Sequence, residues 1–474
     1  MVDLRSILTK LKLFFMSIKF RLTIMSFLQF FVWGAWLITI ANFWFGTKQW
    51  DGTQFGLVFG TMGIASLFMP TLTGIIADRW VNAEKLYGVL HIFYALVLFY
   101  LPQVTTPGNF IYVMLLAMCF YMPTIALSNS ISYTALKNSD KSDVVKDFPP
   151  IRVWGTIGFI AAMWLTNLSG NKATAYQFYI AGIAAILLGL YAFTLPKCKP
   201  QHVKAEKSSL VESLGLEAFK LFGTYKMALF FIFSMFLGGA LQLTNAYGDV
   251  FLDEFKHVPR FADSFVVKYS TIIMSISQIS ETLFILVIPF FLKRFGIKQV
   301  MLISMFAWVL RFGLFSFGNP TDALWMIIMS CVVYGMAFDF FNISGSLFVE
   351  TSTNNKIRSS AQGLFMMMTN GFGAILGSFT SGWLIDKYFT MAYTKSTDLA
   401  AYLQTEVDNS VMLNLLKEKN IKILNDGSFS SALMIRDWHS IWLSFAGYSL
   451  VIAILFALMF KHKHHPKAVE SVSH

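Results

Sequence analysis

Uncharged apolar runs of membrane-spanning length recur along the whole chain. Residues 22–47, 52–77, 153–171, 173–196, 227–248, 359–385 and 438–460 hold no Asp, Glu, Lys or Arg. Residues 86–136 hold none either, and the break PQVTTPGN at 102–109 divides that run in two. Three further runs carry one charge each: Glu281 within 269–292, Arg311 within 299–321 and Asp339 within 323–349. About 20 apolar residues cross a hydrocarbon core, so the pattern predicts twelve spans. Backbone polar groups in lipid must be satisfied within the segment, which makes the spans helices. The expected fold class is an all-α membrane protein of twelve transmembrane helices.

Composition agrees. Of 474 residues, 56% are hydrophobic and 13% charged, about half the charge of a soluble domain. The mean hydropathy is +0.59. This excludes a disordered chain, a collagen-like chain and a disulfide scaffold. Cys119, Cys198 and Cys331 offer neither a disulfide framework nor metal-ligand spacing. The net charge of +11 reads as basic loops on one membrane face, not as a nucleic-acid surface. With the N-terminus inside, most Lys and Arg fall on inner segments, which places both termini in the cytoplasm. The basic N-terminal stretch and the full-length apolar run after it read as a first span, not as a cleaved signal.

The longest inner loop, 197–225, separates two six-helix halves, 1–196 and 226–474. Ser209 and Glu212 form a candidate capping box there, for a surface helix carrying Leu210, Leu214 and Phe219. The halves echo each other. Tyr121 and Asn129 match Tyr334 and Asn342 in spacing; Gly34-Ala35 with Thr39 matches Gly239-Ala240 with Thr244; Ile151-Arg152 matches Ile357-Arg358. Duplicated helix bundles place substrate near the membrane midplane. The segment GIIADRW at 74–80 resembles the signature loop of the major facilitator superfamily. Asp78 and Arg79 are expected to tie helices together at the inner face, with no substrate role. A long outer loop, 388–436, carries Leu399, Leu403, Val407, Val411 and Leu415 every four residues, which predicts one amphipathic helix.

Ionisable groups inside a span are functional candidates. Glu281 and Asp339 sit centrally in their runs, where a carboxyl group facing the bundle interior can load and unload a proton. Arg311 lies nearer an end and is expected to snorkel or pair. His91 and His439 read as interhelical or interfacial contacts. Helical spacing groups the other polar residues onto faces: Arg152, Thr156 and Phe159; Gln242 and Asn245; Gln278 and Glu281; Tyr334, Phe338 and Asn342 beside Asp339. Amides donate and accept, and aromatic rings sandwich flat ligands. Such faces suit a neutral, planar solute with hydroxyls.

At these residues the chain resembles the nucleoside–proton symporters of the major facilitator superfamily, the group of bacterial nucleoside and xanthosine permeases. The resemblance is densest in FLQFFVWGAW (27–36), DFPPIRVWGTIGF (147–159), FFIFSMFLGGALQLTN (230–245), SISQISETLFIL (275–286), YGMAFDFFNISGS (334–346) and AQGLFMMMTNGFG (361–373). It implies a nucleoside pocket at Arg152, Thr156, Phe159, Gln242, Asn245, Gln278, Glu281, Tyr334 and Phe338, and proton coupling at Asp339 with Glu281. It also implies uptake of purine and pyrimidine nucleosides across the inner membrane by a monomer. The driving force would be the proton gradient, with no cofactor and no nucleic-acid partner. The long loop departs from the family's short link. A proton-coupled sugar permease is the alternative within transporters, and a polytopic membrane enzyme the alternative outside them. No HExxH, Gly-rich phosphate loop or Asp-rich loop supports an enzyme.

Overall fold

The computed structural model describes residues 17–139, 144–200, 216–354 and 357–462. The candidate capping box at Ser209 and Glu212 lies outside them. Contacts divide the chain into two compact units, Met1–Leu37 with Thr61–Leu216, and Ile38–Gly60 with Glu217–His474. The second unit therefore includes a short stretch from early in the chain.

In the first unit the helices are α1 (Ile18–Gly34), most of α2 (Gly52–Arg79), α3 (Ala83–Tyr100), α4 (Pro107–Lys137), α5 (Val144–Leu168) and α6 (Tyr176–Ala192). Ser17 caps α1 by accepting from the Phe20 amide at 3.2 Å. Pro107 opens α4, where its missing N–H costs nothing. Helices α1 and α5 pack almost backbone to backbone. A Cβ on Gly158 would collide with the Phe27 carbonyl, and one on Gly34 would sit 2.5 Å from the Phe159 carbonyl oxygen. Close approach through small residues is the usual basis of helix association in lipid. At one end of this unit, Lys19 pairs with Asp147 at 2.7 Å. The buried Glu84 carboxylate accepts from the Cys198 amide at 2.8 Å and from Asn82 at 3.0 Å.

In the second unit α7 (Tyr225–Glu254) is followed by α8 (Ser270–Phe317), in which two predicted spans run together through Gly296. Gly296 has φ of 76°, the left-handed backbone that glycine adopts freely. Next come α9 (Leu324–Ser352) and α10 (Arg358–Met366), which passes through a π-turn, Met367–Gly373, into α11 (Ala374–Tyr388). Among the described residues eight helices are long and apolar enough to cross a membrane. The first, sixth and eleventh predicted spans are helical too, but α1 and α6 have 17 residues each and the eleventh is irregular.

The loop 388–436 is not one amphipathic helix. It folds into a cap: β1 (Thr390–Lys395), α12 (Ser396–Leu403), α13 (Ser410–Glu418) and β2 (Ser428–Arg436), followed by α14 (Trp438–Met459). The strands pair antiparallel, Thr390 opposite Arg436 and Tyr393 opposite Leu433. Gln404 turns left-handed at φ 54° and ends α12; the Asn409 side chain accepts from the Val411 amide at 2.9 Å and starts α13. Those local bonds outweigh the four-residue periodicity, and Val407 is left exposed. Leu399, Leu403, Met412, Leu415, Phe429 and Leu433 close a small core of the cap's own. Just before β2, the Ser428 hydroxyl and amide hold the Asp426 carboxyl below the usual carboxylate range.

Candidate functional site

Each unit carries one set of the predicted site residues. In the first unit the close α1–α5 packing sets them. The half-buried Arg152 guanidinium lies 4.0 Å over the Phe30 ring, a cation–π contact. Gly155 leaves room for it, since a Cβ there would press on both Phe30 and Arg152. Phe159, nearly buried, meets Trp33 edge-on at 6.2 Å, and Trp33 leans on Tyr121 at 5.6 Å. Thr156 is half-buried one turn after Arg152.

Behind these rings lies a polar network that sequence reasoning missed. The buried Gln29 donates to Thr124 at 2.9 Å and accepts from Tyr87 at 2.6 Å, while its backbone carbonyl accepts from Tyr121 at 2.8 Å. Trp36 donates to Tyr94 at 2.8 Å. Gln29 lies inside FLQFFVWGAW; an amide in an aromatic run was the available signal. Such a satisfied network fixes the ring positions that the face presents.

The second unit carries the carboxylates. Gly335 lets α9 press against the backbone of Ser280 and Glu281, and Ser280 donates to the Val332 carbonyl. On α9 the Tyr334 and Phe338 rings stack at 6.0 Å and 10°. Asp339 is 4% exposed, and its Oδ2 has no hydrogen-bond partner among the described residues. Glu281 is half-buried and near enough for its charge to act on Asp339. On the same helix as Glu281, the Gln278 amide oxygen is buried without a partner among the described residues, as is that of Gln242 on α7; Asn245 is half-buried. These orphaned acceptors suit a ligand that brings donors.

Arg311 does not snorkel. It is fully buried, its guanidinium 4.6 Å over the Tyr334 ring. It donates to the Ser330 carbonyl at 2.7 Å and reaches Ser277 and Thr244 at 3.4 Å. Aimed inward, it braces the aromatic face. His91 bonds the Tyr87 carbonyl of its own helix at 3.0 Å and meets the Tyr121 ring of α4 edge-on at 6.3 Å; His439 contacts Ser316 of α8 at 3.1 Å. Asp78 and Arg79 are exposed at the end of α2.

Apolar helices of this length, matched to a solved transporter over nearly the whole chain, define an integral membrane transporter of the major facilitator fold. The family model described as nucleoside H+ symporter matches residues 16–465, and the chain belongs to that family. It is 46% identical to nucleoside permease NupG of Escherichia coli (strain K12), over 97% of this chain and 100% of the relative. It is 47% identical to the xanthosine permease of the same organism, over 96% and 99%. The crystal structure of the nucleoside transporter NupG superposes with a TM-score of 0.79, covering 94% of this chain and 100% of that one. The family is one of transporters, not enzymes.

Proposed function

We propose that this protein imports nucleosides, purine and pyrimidine, together with protons, and that the two helical halves expose the bound solute alternately to each side. Arg152, Thr156 and Phe159 of one half, and Gln242, Asn245, Gln278, Tyr334 and Phe338 of the other, hold base and ribose. Rings take the flat base and amides take ribose hydroxyls and base edges. Asp339 carries the proton, with Glu281 sharing charge and substrate contact. Both termini are cytoplasmic, the cap faces outward, the membrane is the inner one and the working unit is a monomer. The observation that carries this reading is on α9, where the stacked Tyr334–Phe338 pair adjoins a buried carboxyl group with one oxygen unpartnered among the described residues. A ligand seated on those rings and a proton on that carboxyl are then linked, each favouring the other.

Uptake of a labelled nucleoside into proteoliposomes tests it. Other nucleosides compete; nucleotides, free phosphate and sugars do not. Competition by nucleotides as strong as by nucleosides, or by no nucleoside at all, overturns the assignment.

A further inference from the structure

Between the cap and the body of the second unit lies a cavity of about 650 Å³, within the size range of small-molecule sites. None of the proposed pocket residues lines it. Several of its charged side chains have partners within the protein. Arg436 pairs with Glu254, whose other oxygen accepts from Trp438 at 2.7 Å. Lys256 pairs with Asp253 at 3.0 Å, Lys419 donates to the Phe45 carbonyl at 2.9 Å, and Asp386 accepts from Thr53 at 2.7 Å. Three of its lining residues carry a buried polar atom with no partner among the described residues: Asn42 Oδ1, His257 Nε2 and Arg436 Nε. Asn42 is only 2% exposed, and its amide nitrogen is committed to Asp249. Buried polar atoms of this kind call for a hydrogen-bonding occupant. Trp50 supplies an aromatic wall, and Leu415, Ile421 and Leu433 of the cap an apolar one.

The geometry points to a second nucleoside site, in which the cap holds the solute against Asn42, His257 and Trp50, apart from the transport pocket. The identity of the solute rests on the nucleoside reading above. A neutral molecule with hydroxyls and a flat ring fits because the lining holds five carboxylates against three Lys and Arg side chains, a balance that repels a phosphate, while Asn42 Oδ1 can accept a hydroxyl and Arg436 Nε can donate to one.

The test uses the purified full-length protein in detergent, with labelled uridine and adenosine, and a Ser431→Cys variant on the exposed rim of the cavity, labelled with a maleimide. Binding exceeds one nucleoside per chain, and nucleoside slows labelling at position 431. His257→Leu, which removes a ring whose Nε2 has no partner among the described residues, weakens that protection at least about tenfold and spares the other binding event; Asn42→Leu does the same where it folds. Glu281→Gln weakens the transport pocket and leaves the protection in place. If wild-type protein binds one nucleoside per chain and labelling at 431 is unchanged at saturation, the cavity holds only water and the second site is refuted. Equal protection by a nucleotide refutes its neutral selectivity. If no nucleoside binds at all, the nucleoside reading itself falls, a result distinct from loss of protection alone.

Discussion

Asp339 and Arg311 show two fates for an ionisable side chain in an apolar helix. Asp339 is buried with one oxygen unpartnered among the described residues, which suits the proton-carrying role proposed for it. Asp339→Asn mimics the proton-loaded form. It is expected to keep binding and exchange but lose accumulation against a gradient, measured as steady-state uptake with and without an imposed pH difference. Arg311 instead fastens helices: its bond to the Ser330 carbonyl joins α8 to α9. Arg311→Met removes that charged hydrogen bond and is expected to cost about 1–3 kcal/mol, read as a lower midpoint of thermal unfolding in detergent. Outside the spans, burial and then the Glu84 charge push the Cys198 thiol up to about 11. Because the pKa is raised, the reactive thiolate is scarce at neutral pH. Maleimide labelling of Cys198 should therefore climb about tenfold per pH unit towards that value, against a Cys198→Ser control.

The decisive features among the elements are the contacts that glycine allows. Gly158→Leu would drive a side chain into the Phe27 carbonyl. It should separate α1 from α5, displacing Arg152 and Phe159 together, and abolish nucleoside binding even where the protein still inserts. The cap is an element of a different kind. It has its own core and is tied down through Arg436, which stacks 3.7 Å over Phe45, and through Gln49, which donates to the Glu418 carbonyl at 2.7 Å. Replacing 397–420 with a short Gly/Ser link should leave the affinity of the transport pocket within a few-fold and remove only the protection at the cavity. Loss of all binding from well-folded protein would place the cap in the transport path.

For the whole molecule, a neutral solute carried with a proton moves positive charge inward. Uptake should rise as outer pH falls, be accompanied by inward current and collapse with an uncoupler. Electroneutral uptake indifferent to pH would sink the coupling reading. A pH optimum that persists in Asp339→Asn would move the coupling to another carboxyl group.

How much of this the chain discloses depends on whether the signal is local. Uncharged runs announce spans because lipid penalises every charge and every unpaired backbone group in the same way, wherever the segment ends up. The periods of three and four put Gln278 beside Glu281, and Tyr334 beside Phe338, before any tertiary contact is known. Local bonding can also mislead from a distance: the leucine period across the cap reads as one helix because the left-handed turn at Gln404 and the Asn409 cap leave no mark in hydrophobicity. Other facts belong to the tertiary structure alone. Whether Arg311 faces lipid or core, which carbonyl Gly158 meets, that Gln29 gathers Thr124, Tyr87 and Tyr121, and that Asn42 comes to wall a cavity with residues from 250 to 436 are long-range pairings. The sequence fixes the polarity of each such side chain, and only packing decides what it meets.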